Sequence, residues 1–108
     1  MRLALVVSCL VLAVTGSAFA RTPASIKKCL AKEGAITRLN GPTEIDAWWH
    51  TTFVEIFAVK SHAFAEAIVQ GGERLGKPPT SYVVHGSTVA SFWKVPTKAV
   101  RSRVTVCI

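Results

Sequence analysis

The chain has 108 residues, half of them apolar, and 13 Lys and Arg against six Asp and Glu give a formal charge of +7. That length suits a single domain, and the basic balance favours anionic polymers, anionic membrane surfaces or acidic proteins as partners. Beyond the N-terminus no apolar run reaches the roughly 20 residues that a membrane-spanning helix requires.

Residues 1–20 read as a secretory signal peptide. Arg2 supplies the positive start, Leu3 to Val14 form an apolar run broken only by Ser8 and Cys9, and Ala18-Phe19-Ala20 is a small-residue cleavage site. Cleavage near Ala20 leaves residues 21–108 as one small domain, secreted or periplasmic, and takes the charge from +7 to +6 by removing Arg2. It also removes Cys9. The remaining pair, Cys29 and Cys107, is expected to form a disulfide in an oxidising compartment and to hold the two ends of the domain together.

A first helix is expected after Thr22, a good N-cap, with Pro23 at the first helical position and Gly34 just past the end. Ile26, Cys29 and Leu30 share its inner face, while Lys27, Lys28 and Lys32 face solvent. Ala35 to Leu39 reads as a short strand before the turn residues Asn40-Gly41-Pro42. From Glu44 to Gln70 the spacing of Ile45, Trp48, Trp49, Thr52, Phe53, Ile56, Phe57, Ala63, Phe64, Ala67 and Ile68 predicts one long amphipathic helix. Thr43-Glu44-Ile45-Asp46 resembles a capping box at its start, and Gly71-Gly72 marks its end. Such a helix is about 40 Å long, against a radius of gyration of about 12 Å for the domain. A bend or break near Lys60-Ser61 is therefore expected.

Pro78-Pro79 lies in a loop, and the rest reads as β-structure: Ser81 to His85, a turn at Gly86-Ser87, Thr88 to Val95, a turn at Pro96-Thr97-Lys98, and a β-branched strand from Val100 to Ile108. Alternation in that last strand puts Cys107 on its polar side, in conflict with a bond to the apolar face of the first helix. The expected fold is α+β: the long helix packed on a small antiparallel β-meander, with the N-terminal helix tied to the last strand by the disulfide.

Chemistry is sparse. Asp46 with His50, and His62 with Glu66, have helical i, i+4 spacing but read as surface charge pairs, so no metal or other cofactor is expected. All the mature acids except Glu33 and Glu73 fall on the long helix, which argues against a pair of catalytic carboxylates facing each other across a cleft. His85 and Ser87 are the residues a small hydrolase would use, although they lack a nucleophile-elbow setting. An enzyme is the less favoured class. Trp48 and Trp49 read as core. Phe92 and Trp93 point to opposite faces, so one is exposed. Trp93, Lys94, Lys98, Arg101 and Arg103 form the candidate partner-binding surface, a basic face bearing an aromatic. The function this favours is a small exported binding or inhibitor-type protein that meets another protein or an anionic envelope polymer. Nucleic acid is an unlikely partner. The alternatives are a small secreted hydrolase using His85 and Ser87, or a structural envelope component.

Overall fold

The computed structural model describes residues 21–50 and 52–108; the expected signal peptide lies outside the described residues. Among the described residues the fold is α+β, with three α-helices and a five-stranded antiparallel sheet. In chain order the elements are α1 (Pro23–Lys32), β1 (Ile36–Leu39), β2 (Glu44–Trp49), β3 (Thr52–Ala58), α2 (His62–Arg74), a short 3-10 turn (Pro79–Ser81), β4 (Tyr82–His85), β5 (Thr88–Phe92) and α3 (Lys98–Cys107). The strands lie in the order β1-β2-β3-β5-β4. Among the described residues, no helix is long and apolar enough to cross a membrane.

Alternation sorts the side chains onto two faces. On one face Ile45, Ala47, Trp49, Val54, Ile56, Val83, Ala90 and Phe92 form the main core with Ile26 and Leu30 of α1 and with Val104, Cys107 and Ile108 at the C-terminus. On the other, Tyr82 and Val89 are covered by Ala65 of α2, with Phe57, Ile68, Val69 and Val84 around them. Thus α1 and α3 lie side by side on one face, and α2 lies on part of the other.

Helix α1 follows the sequence. The Thr22 hydroxyl accepts from the Ser25 amide at 3.1 Å. Gly34, at φ 95°, lets the Ala35 amide reach back to the Leu30 carbonyl, closing a Schellman motif. The long helix is not formed. Strands β2 and β3 instead pair as a hairpin, in register with Trp49 opposite Thr52 and Asp46 opposite Glu55. The segment carries apolar side chains on both faces, which imitates a helical stripe, but its β-branched and aromatic residues fit a pleated sheet better. His50 accepts the left-handed φ of 50° at the connection.

With no helix before it there is nothing to break near Lys60-Ser61; Ser61 instead starts α2 as its N-cap, its hydroxyl accepting from the Phe64 amide at 3.0 Å. Gly71-Gly72 does not end this helix. Gly76, at φ 90°, does, with the Lys77 amide on the Gly72 carbonyl and the Gly76 amide on the Glu73 carbonyl. Gly72 serves packing instead, because a Cβ there would overlap the Tyr82 hydroxyl.

The expected last strand is also a helix. Thr97 is the N-cap of α3, its hydroxyl accepting from the Val100 amide. Val100, Val104 and Cys107, at i, i+4, i+7, turn toward the core. The N-terminal helix is therefore tied to a C-terminal helix and not to a strand, through the Cys29–Cys107 disulfide with its Cα atoms 5.6 Å apart. The conflict over the facing of Cys107 disappears, because helical periodicity puts it beside Val104.

Candidate functional site

Five residues expected to share a basic sheet face are divided by the fold. Lys98, Arg101 and Arg103 stand on α3, whereas Trp93, 70% exposed, belongs to the opposite side of the sheet with its ring 5.1 Å from that of Phe53. Lys94 follows it in the exposed segment leading to α3. Arg101 and Arg103 are 200° apart around the helix. Arg101 donates to the Thr80 carbonyl at 3.0 Å, and Arg103 to the Glu33 carbonyl at 3.4 Å.

What the fold does assemble is a basic layer. Residues 21–34 and 97–108, which make up α1, α3 and their ends, carry Arg21, Lys27, Lys28, Lys32, Lys98, Arg101 and Arg103 against the single acid Glu33. Elsewhere in residues 21–108 five bases are matched by five acids, so these two helices hold the whole net charge of +6. Arg21, Lys28, Lys32, Lys98 and Arg103 are exposed. Arg21, Ser25, Lys28 and Lys32 recur at helical spacing and, with Cys29, line a shallow groove of about 280 Å³.

The second surface is the part of the sheet that α2 leaves open. Three rows cross it. The first is aromatic: Ile36, Trp48 and Phe53, with Trp93 at its end; Trp48 and Phe53 have ring centroids 5.0 Å apart, and the Arg38 guanidinium lies 5.4 Å from the Trp48 ring. The second is polar: Arg38, Asp46, Glu55, Ser91 and Tyr82 occupy consecutive register positions across all five strands. Arg38 donates to Asp46 Oδ2 at 2.9 Å, and Lys77 donates to Ser91 Oγ at 2.9 Å from the far side. The third row begins at Glu44, opposite Phe57.

The carboxylates of Glu44, Asp46 and Glu55 converge, with one oxygen from each within 4.8 Å of the others. Burial, then the neighbouring Asp46 carboxylate, and then the Glu55 charge push the Glu44 carboxyl above its usual value, while the Asn40 amide opposes them. This corrects the sequence expectation that the acids lie along one helix: two strands bring three of them together. Helical spacing is equally lost for Asp46 and His50, but His62 and Glu66 do pair, at 3.4 Å on α2. Trp49 is core, its indole donating to the Glu33 carbonyl at 3.1 Å, whereas Trp48 is half-buried on the open face.

The two surfaces meet at an open cleft of about 760 Å³ between the β2–β3 hairpin end and α3, lined by Trp48, Trp49, His50, Thr52, Val100 and Arg103 among others. Both the Trp49 indole and the Arg103 guanidinium are engaged by the Glu33 carbonyl. At the Gly86-Ser87 turn the histidine in contact is His62, whose Nδ1 donates to the Gly86 carbonyl at 2.7 Å; His85 stands exposed at the end of β4. No family model, curated protein or solved structure matches the chain.

Proposed function

We propose that this is a small exported binding protein whose α1–α3 layer docks on an anionic envelope polymer. The observation that carries the reading is the segregation of charge: the full excess of +6 lies on one side of the sheet. Most of the side chains among those cations are small, including Ala24, Ser25, Ala31, Ala99, Ser102 and Thr105, with Val106 of α3 an exposed apolar exception. A surface of dispersed lysines without a buried aromatic anchor suits a flexible polyanion better than a protein epitope, which is usually organised around Trp, Tyr or Arg hot spots. The disulfide and the absence, among the described residues, of a long apolar helix are compatible with life outside the cytoplasm.

Retention on an immobilised acidic polysaccharide, against a neutral one, tests the reading at low and moderate salt. Lys28, Lys32 and Lys98 are the positions to reverse, because Arg101 and Arg103 also hold backbone carbonyls and their loss perturbs α3. The triple change to Glu is expected to abolish retention that salt already weakens. Equal retention on the neutral matrix, or retention unaltered by the triple change, overturns the proposal. Capture of an acidic protein with no affinity for the polymer would replace it with the inhibitor-type alternative.

A structural envelope component is the second reading, favoured by one feature. Strand β1 is a sheet edge bearing Ile36, 74% exposed, and Leu39, 45% exposed. Uncovered edges of this kind template self-association. Sedimentation that shows only monomer across concentration would remove it.

A further inference from the structure

We propose that Glu44, Asp46 and Glu55 on the open sheet face form a Ca²⁺ site. Asp46 is only 2% exposed, yet its Oδ1 has no hydrogen-bond partner. Its other oxygen is held from the β1 side by Arg38 at 2.9 Å and Asn40 at 3.4 Å. A buried carboxylate oxygen without a donor is rare in folded proteins and calls for an ion or a water. The adjacent groups, Glu44 and Glu55, are carboxylates and supply acceptors, so a cation answers all three at once.

The charges point the same way. Three carboxylates share this spot with one ion-paired base, Arg38, whose side chain is 64% exposed and whose charge is largely screened by water. Lys77 is turned to Ser91 Oγ and to the Tyr82 ring, 4.9 Å away.

Geometry selects the ion. Oxygens bound to one Ca²⁺ at about 2.3–2.6 Å lie at most about 4.6–5.2 Å apart. The observed limit of 4.8 Å lies inside that range, so small side-chain adjustments bring the three oxygens onto one ion. Mg²⁺ demands a near-ideal octahedron at about 2.1 Å and gives up its water reluctantly, whereas Ca²⁺ accepts irregular sets of carboxylates such as this one. The three ligands come from a rigid frame, since Asp46 is directly opposite Glu55 in the β2–β3 ladder and Glu44 is two residues earlier on the same face. Asn40 sits over Glu44 Oε2 at 3.2 Å; turned over, its amide presents oxygen as a fourth ligand. Glu44 and Glu55 are half-buried, leaving room for water to complete six to eight ligands.

Three or four protein ligands with water give the affinity of extracellular Ca²⁺ modules, a Kd on the order of 10⁻⁴–10⁻³ M. The test is titration calorimetry of the disulfide-intact protein with CaCl₂ and separately with MgCl₂, alongside thermal unfolding. Ca²⁺ is expected to bind once per chain in that range, Mg²⁺ at least tenfold more weakly. At 10 mM Ca²⁺ the unfolding midpoint is expected to rise by about 6–20 °C across that Kd range. Glu55→Gln is expected to remove the Ca²⁺ response while the protein stays folded, and Glu73→Gln on α2 to retain it. A wild-type protein that shows neither heat nor midpoint shift at 10 mM Ca²⁺ overturns the site, as does a Glu55→Gln protein that responds like wild type. Neither result depends on whether the basic layer binds a polyanion.

Discussion

Breaking the Cys29–Cys107 bond is the perturbation whose size follows most directly from the fold. The bond joins α1 to α3 across a sequence separation of 78 residues. In the chain-entropy model a loop of this length restricts the unfolded state by about 4.5 kcal/mol. A domain of this size has a total stability of only about 4–13 kcal/mol. Replacing both cysteines with Ala is therefore expected to remove a third or more of the stability. With an m-value near 1–1.5 kcal/mol/M for so small a chain, the urea midpoint should fall by about 3–4 M. Equilibrium denaturation followed by tryptophan fluorescence suits the measurement, because Trp49 is tied to the end of α1 through the Glu33 carbonyl. A midpoint shift below about 1 M would refute the reasoning. It would mean that the unfolded chain already keeps its ends together, or that the packing of Ile26 and Leu30 against Val104 makes the bond redundant.

Gly72→Ala is expected to destabilise by about 1–3 kcal/mol, since the new Cβ overlaps Tyr82 and helix propensity alone would favour alanine; a stabilised variant in urea denaturation would contradict this. Thr97→Ala is expected to cost about 1 kcal/mol through loss of the α3 cap, measured the same way. If residues 98–107 formed a strand, that change would be neutral. Glu44→Gln is expected to stabilise the protein at pH 7. The folded carboxyl has a pKa above its unfolded value, so the cost of charging it is present at neutral pH and disappears as pH falls through the raised value toward about 4.5. The advantage of the variant should therefore shrink between pH 7 and pH 4, and an advantage that grows on acidification would contradict the assignment.

Elements with local punctuation were legible in the sequence. Thr22, Pro23 and Gly34 delimit α1, and Gly86-Ser87 separates β4 from β5, because caps and turns depend on a few adjacent residues. Segment 44–58 was not, since its hairpin carries apolar side chains on both faces and a two-faced strand pair mimics a helical stripe. The connection after His50 lacks Asn-Gly, although His is among the residues that tolerate φ > 0. A two-residue connection there places Asp46 opposite Glu55, the one signal that could have revealed the carboxylates. For α3 the β-branched residues suggested a strand, and tertiary packing of Val100, Val104 and Cys107 outweighed that preference. Of the proposed partner surface, the cations of α3 are legible in the sequence, whereas those of α1 read as ordinary solvent-facing lysines. The disulfide, the shared sheet face and the Arg103 bond to the Glu33 carbonyl join the two sets.

Chemical-shift mapping by NMR during titration with an acidic polysaccharide tests the central claim most directly. The account predicts that the largest amide shifts fall on α1 and α3, around Ser25, Lys28, Lys32, Lys98 and Ser102, and diminish as salt is raised. Shifts concentrated instead at Trp48, Phe53 and Trp93 on the open sheet face would contradict it.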